Sequence, residues 1–311
     1  MDRFSNLIGQ QAVKNKLNFY IDVFEKKQTM PFLLFTSPKG YGKTEFARNV
    51  GKNLEGSNGA PRPFLEINSS IIRNNNTFFE NIFLQFMLEK EITILFDEAH
   101  NLPNDFTQLL LTICNTDSNP VRNIPYDGTI MTFDFTKITF IFATTEPDKL
   151  FPPLKDRMEP IEFKPYTEEE LSKIMAMNLD KVKISQSCIQ EVISRTRGNP
   201  RSAVRMAKNI NDYCIRDSIP EFSKDDFLEM CKIFDILPHG ISQTERSVLE
   251  VLQERGESSL TTLTAVTGMS KTSLQRDVEH YLIKKNFMSI NPVGSKRSIT
   301  RFGKKVLENV G

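Results

Sequence analysis

The sequence predicts an α/β protein: a parallel-sheet domain, then a helical segment, then a C-terminal domain of three helices and a two-stranded wing. Three observations carry this prediction. Apolar runs of strand length (Leu33–Phe35, Ile92–Phe96 and Ile138–Ala143) alternate with stretches of helical periodicity, the pattern of strands covered on both faces by helices. After Pro165, Thr167-Glu168-Glu169-Glu170 is a capping signature, and the pattern stays helical to about Phe234. Beyond Leu237-Pro238-His239-Gly240, three helical stretches precede two short strand-like runs joined by Pro292 to Arg297. The expected divisions are residues 1–164, 165–237 and 238–311.

Length and composition agree with this plan. A chain of 311 residues, 39% hydrophobic and 25% charged, suits a globular protein of two or three domains. The net charge of +1 selects no partner, but from Lys284 onward seven basic residues stand against Glu308 alone, so a local basic face is expected. Cys114, Cys188, Cys214 and Cys231 form no C-x-x-C pair and read as reduced thiols rather than disulfides or metal ligands. No signal-peptide core follows Met1-Asp2-Arg3-Phe4 and no apolar run reaches membrane-spanning length, so a cytoplasmic protein without a membrane role is expected.

Taken in order, Asn6 to Gln10 leads into a helix whose apolar face is Val13, Leu17, Tyr20, Ile21 and Phe24. The strand at Leu33 runs into Ser37-Pro38-Lys39-Gly40-Tyr41-Gly42-Lys43-Thr44 and then a helix bearing Phe46, Ala47 and Val50. Such a strand, loop and helix can cradle a phosphate chain: Gly40 and Gly42 permit close backbone approach, and the helix N-terminus adds partial positive charge. Lys43 would reach the β/γ-phosphates and Thr44 would ligate Mg²⁺. The usual pattern begins with Gly where Ser37 stands, a residue comfortable there only at negative φ. Taken alone, the loop is also compatible with a plain strand-turn-helix carrying an exposed lysine.

Phe64 to Asn68 reads as the next strand, and the polar Ser69 to Asn76 stretch caps a helix carrying Phe79, Ile82, Phe83 and Phe86. The run Ile92 to Phe96 ends in Asp97-Glu98: Asp97 could hold Mg²⁺ through its water shell and Glu98 could polarise an attacking water. Adjacent carboxylates also open ordinary helices, but here they end an apolar strand downstream of a phosphate loop, which makes nucleotide hydrolysis the better reading. A helix with Phe106, Leu109, Leu110 and Ile113 follows, and then Asn119 to Thr136, where Asp127-Gly128 between alternating residues signals a hairpin, either a docking element or a plain surface ribbon. Strand Ile138 to Ala143 ends in Thr144-Thr145, short polar residues that could contact a γ-phosphate. Arg157 lies in a Pro-flanked turn and Arg201 in the first turn of a helix begun by Pro200; either could be a surface charge or a cation for phosphoryl transfer. Lys296 and Arg297 lie on the wing, where they could grip a duplex backbone, although winged domains also bind proteins.

In this order the pieces resemble the AAA+ ATPases, and most closely the RuvB-type Holliday-junction branch-migration motors. Leu7-Ile8-Gly9-Gln10 resembles the family's motif beside the adenine, Pro38 to Thr44 its Pro-Pro-Gly-Leu-Gly-Lys-Thr loop, and Phe96-Asp97-Glu98-Ala99-His100 its Walker B. Ala143-Thr144-Thr145 is similar to sensor 1, Pro153-Leu154-Lys155-Asp156-Arg157 to the Pro-Leu-Arg-Asp-Arg of the arginine finger, and Gly198-Asn199-Pro200-Arg201 to the Gly-Thr-Pro-Arg of sensor 2. Tyr166 falls where the family has an aromatic residue on the adenine, and Tyr281 to Phe287 is similar to the wing-domain Tyr-Leu-Ile-x-x-Gly-Phe.

The resemblance implies an ATP- and Mg²⁺-dependent motor. Leu7, Ile8, Pro38, Lys39, Gly40, Tyr41, Gly42, Lys43, Thr44, Tyr166 and Arg201 would bind nucleotide between the first two domains, with Thr44 and Asp97 on the metal. Glu98, Thr145, Arg201 and, from a neighbouring subunit, Arg157 would be catalytic. It further implies a homo-oligomeric ring, a hexamer in family terms, acting on duplex or four-way-junction DNA beside a RuvA-like junction-binding protein, in recombination and repair. Ser37, the Glu146-Pro147-Asp148 run in place of the family's Arg-Ala-Gly, and a poorly matched hairpin are departures. Ser37 and Glu146-Pro147-Asp148 keep open an ATP-switched DNA- or partner-binding assembly protein that does not translocate, and the hairpin bears on docking to the RuvA-like partner. Divergence and Lys/Asn/Phe-rich usage suggest a mobile-element or phage-like relative.

Overall fold

Five parallel strands in the order β2-β3-β6-β1-β7 form the sheet of the first of two units, in a computed structural model that describes residues 3–115, 121–126, 128–180 and 182–308. This unit comprises the residues up to Glu170 together with Asn199–Arg201. The strands are β1 (Leu33–Thr36), β2 (Phe64–Asn68), β3 (Ile92–Asp97), β6 (Ile138–Thr144) and β7 (Glu159–Glu162). β3 and β6 are buried along almost their whole length, as expected of apolar strands with neighbours on both edges. The edge strand β7 is absent from the sequence reading, because Glu159-Pro160-Ile161-Glu162 shows no apolar run. Pro160 is tolerated there since β7 pairs with β1 on one side only.

Helix α1 (Gln11–Lys27) buries Val13, Leu17, Ile21 and Phe24, while Tyr20 is half-buried and donates its hydroxyl to Glu159. Helix α2 (Lys43–Asn53) begins directly after the loop that ends in Gly42. Asn74 accepts from Thr77 N to cap α3 (Asn75–Phe78), which continues in wider π turns over Phe79–Met87. The change of pitch buries Phe79, Ile82, Phe83 and Met87 and turns Phe86 outward, 45% exposed, where a regular helix was expected to put it inward. Phenylalanines dominate this core: Phe96 stacks on Phe142 at 5.2 Å between ring centroids, and Phe106 meets Phe78 at 4.5 Å.

Between α4 (Asn104–Ile113) and β6 the chain forms the expected antiparallel hairpin, β4 (Val121–Tyr126) with β5 (Thr129–Asp134). Asn119, Pro120 and Asp127 of the sequence reading lie outside the described residues. Phe133 packs on Phe79 and Phe83, so one hairpin face is core, while Ile130 near the turn is 73% exposed. The short α5 (Pro152–Lys155) follows β6, and the predicted capping signature is reciprocal at the start of α6 (Glu168–Met177): Thr167 N donates to Glu170 Oε2 and Glu170 N to Thr167 Oγ1.

The second unit holds Leu171–Gly198 and Ser202–Gly311. Its first part is helical, with α7 (Gln186–Ser194), α8 (Pro200–Asp217) and α9 (Lys224–Ile233), except for a parallel pair of two-residue strands, β8 (Lys183–Ile184) and β9 (Glu221–Phe222). Its second part has α10 (Gln243–Arg255), α11 (Leu260–Thr267) and a third helical stretch from α12 (Lys271–Ser273) through π turns at Leu274–Glu279 to α13 (His280–Lys284). The wing is β10 (Met288–Ile290) against β11 (Arg297–Ile299), and a further helix unread from the sequence, α14 (Arg301–Glu308), packs Val306 into the same core as Leu252, Leu263 and Leu282. The two parts are joined by Arg197, which donates to Gly240 O, makes a bidentate pair with the buried Glu245 and stacks over Tyr281 at 3.9 Å. All four cysteines are buried, and burial raises their thiol pKa values, Cys188 to about 11. No helix among the described residues is long and apolar enough to cross a membrane.

Candidate nucleotide site and wing

The polar groups of the first unit gather where β1, β3 and β6 end, the edge of a parallel sheet at which loops and helix N-termini converge. Gly40 and Gly42 have φ of 87° and 91°, a left-handed backbone that glycine adopts without strain. Gly40 is also fixed by space, since a Cβ there would lie 2.4 Å from Asn199 Oδ1. Ser37 is not among the positive-φ residues, so the side chain costs no backbone strain, and its N–H donates to Thr144 O at 3.4 Å. Lys43 is 7% exposed and donates to Ser37 O at 2.9 Å, Ser37 Oγ at 3.2 Å and Pro38 O at 3.3 Å. Burial lowers its pKa, opposed by the negative charges of Glu98 and Asp97 and assisted by the positive charge of Arg201.

Asp97 closes β3 and accepts from Glu98 N at 3.0 Å. Glu98 has φ of 51°, an uncommon conformation for a residue with a side chain, and Thr145 Oγ1 donates to its Oε2 at 3.1 Å. Thr144, fully buried, accepts from Glu146 N at 3.0 Å and lies 2.9 Å from His100 Nδ1. The last residue of β6 and the one after it therefore divide their work. Thr144 fastens His100 and the chain reversal, while Thr145 holds Glu98. Glu146, one of the departures, is ion-paired to Lys149.

On the other side of the loop Tyr166 donates to Tyr41 O at 3.2 Å, its ring edge-on to Tyr41 at 6.1 Å, and burial pushes its hydroxyl up to about 12. Gln10 exchanges two hydrogen bonds with the Lys164 backbone, keeping the Leu7–Gln10 segment beside Tyr166, and a Cβ on Gly9 would meet Glu170 and Tyr166. Leu7 and Ile8 are half-buried. Asn199 donates to Lys39 O and Arg201 N to Gly40 O, so the second motif arginine is fixed by backbone contact to the loop. Arg157 stands apart from this cluster: its Nη1 donates to Pro153 O within its own turn.

The wing corrects one expectation. Arg297 is 5% exposed, with Nε and Nη2 on the carboxylate of the buried Glu279 at 2.7 and 3.1 Å and Nη1 on Ser295 O. It is a structural cation and is unavailable to a phosphate, because extracting it would leave Glu279 buried and uncompensated. Lys296 is exposed, as are Lys284, Lys285, Arg301, Lys304 and Lys305.

Residues 33–166 match the family model described as the ATPase family associated with various cellular activities (AAA), and residues 238–308 match the RuvB C-terminal winged helix domain. Residues 33–166 are therefore an AAA domain, and a winged-helix domain of the RuvB C-terminal type follows it. It is 27% identical over 307 residues to the Holliday junction branch migration complex subunit RuvB of Nostoc sp., covering 94% of this chain and 80% of that protein. RuvB of Thermotoga petrophila is 25% identical, over 92% of this chain and 86% of that one. A solved RuvB variant from Thermotoga maritima superposes with a TM-score of 0.79 at 23% identity, covering 99% and 98% of the two chains, which establishes the shared fold.

An AAA domain binds nucleotide, and the cluster around the phosphate loop has the groups for it. Sequence reasoning missed Thr144, Gln10 and Asn199 as supports of that cluster. The available signal was weak: a polar residue closing an apolar strand, and side chains beside residues that matter more obviously.

Proposed function

We propose that this chain is the ATP-hydrolysing subunit of a ring-forming DNA motor that drives branch migration of four-way junctions or related duplex translocation. One observation carries the reading: at the sheet edge where the Lys43 loop leaves β1, Thr145 holds Glu98 at the end of β3 and Arg201 N donates to Gly40 O of the loop, on a chain that carries a RuvB-type winged helix. Loop amides around Gly40 and Gly42 and the ammonium of Lys43 would bind the phosphates, with Leu7, Ile8 and Tyr166 against the base and Pro38, Lys39 and Tyr41 shaping the loop.

Among the described residues no group of three or more His, Cys, Asp or Glu could hold a metal. A donor set of one hydroxyl and one carboxylate, Thr44 and Asp97, fits Mg²⁺, which takes few protein ligands and completes its shell with phosphate and water. Bound there, Mg²⁺ would neutralise phosphate charge. Glu98, oriented by Thr145, would take the proton of the attacking water; Arg201 would lie by the phosphates, and Arg157 would reach a neighbouring subunit's site in a hexameric ring. Lys296 and the exposed basic residues around it would contact the DNA backbone, and a RuvA-like protein would present the junction. The setting would be the cytoplasm.

The test measures ATP turnover with and without a four-way junction, and strand exchange of that junction, beside Lys43→Ala. DNA-stimulated turnover with branch migration, lost in the variant, is expected. Slow, DNA-insensitive turnover with retained DNA binding would replace the motor by a nucleotide-dependent switch.

A further inference from the structure

Ser37 is where the loop departs from glycine, and its side chain accepts from Lys43, the ammonium proposed to bind phosphate. The Lys43 ammonium has three protons, and the structure places three oxygens for them: Ser37 O at 2.9 Å, Ser37 Oγ at 3.2 Å and Pro38 O at 3.3 Å. The hydroxyl is oriented for this role, because its own proton goes to Pro38 O at 2.9 Å, leaving its lone pairs toward Lys43. Both residues are buried, 9% and 7% exposed, so water is a poor substitute for a lost acceptor. A glycine would supply the carbonyl but not Oγ.

We propose that Ser37 is a positioning residue that sets nucleotide affinity: its hydroxyl is a built-in competitor with the phosphate chain for the Lys43 ammonium. To donate to a β- or γ-phosphate oxygen, Lys43 must hand over at least one proton already placed on the loop. The neutral carbonyls are held by the backbone, so the hydroxyl is the contact most readily given up. Its loss weakens the internal alternative and leaves the phosphate interaction intact, which tightens binding of nucleotides that carry a β-phosphate.

The inference rests on the loop being the nucleotide site, and the experiment separates the two. Fluorescent ADP and ATP are titrated into the full chain, with Mg²⁺, for wild type, Ser37→Ala, Ser37→Gly and Lys43→Ala, and the thermal midpoint of each protein without nucleotide is recorded. Ser37→Ala should tighten both nucleotides about 3- to 10-fold, the range expected when a charge-assisted hydrogen bond is removed from the competing state and partly replaced by water. Ser37→Gly should act in the same direction, so one folded variant suffices. Unchanged affinity within twofold, or weaker binding in Ser37→Ala, overturns the proposal. Lys43→Ala binding nucleotide as tightly as wild type overturns the site itself, whatever Ser37 does.

Discussion

Lys43 and Arg297 are buried to the same degree, 7% and 5% exposed, yet they are held in opposite ways. Arg297 faces a buried carboxylate, Glu279, in a bidentate pair, as Arg197 faces Glu245 in the same unit. Among the described residues Lys43 has only neutral oxygens in hydrogen-bonding range, and the nearby carboxylates act on it through space. Burial alone therefore does not distinguish a cation proposed to bind phosphate from a structural one. The partner does: a cation closed on a carboxylate is part of the core, whereas one held by exchangeable neutral acceptors can be transferred to an anionic ligand.

The comparison can be tested at several strengths. The largest effect is expected outside both pairs, at Arg157, whose Nη1 donates to a carbonyl of its own turn. Arg157→Ala should lower kcat by about 10³-fold or more while nucleotide titration stays near wild type, as for a transition-state cation supplied to a neighbouring site. Retained turnover would remove Arg157 from the chemistry. Next comes Arg297→Ala, which leaves Glu279 buried without its partner and should cost about 3–5 kcal/mol in urea unfolding, where Lys43→Ala should cost far less. Equal losses would erase the distinction between the two cations. The smallest effect belongs to Lys296→Ala: no measurable change in unfolding, and DNA binding weakened with a salt slope reduced by about one. An unchanged slope would place the DNA contact elsewhere on the basic surface.

What the sequence disclosed follows the range of the forces involved. Strands β3 and β6 were legible because continuous burial writes itself into consecutive residues, and the Thr167 to Glu170 cap because its two hydrogen bonds span three positions. The phosphate loop, Asp97-Glu98 and Thr145 were legible as strand ends, and the structure brings Thr145 onto Glu98. Strand β7 was hidden because an edge strand needs apolar residues on only part of its surface and tolerates Pro160. Phe86 pointed the wrong way because the period of the helix changes at Phe79. The role of Arg297 was illegible because its partner, Glu279, lies on a different element 18 residues away, and only packing brings them together.

The burial of the four cysteines has a practical consequence. Buried thiols with raised pKa values hold little thiolate near neutrality and react slowly with maleimides. Val293, on the wing loop between β10 and β11, is 82% exposed, so V293C would add one fast-reacting thiol to an otherwise quiet background. A dye attached there would report on the wing without first stripping the native cysteines from the core.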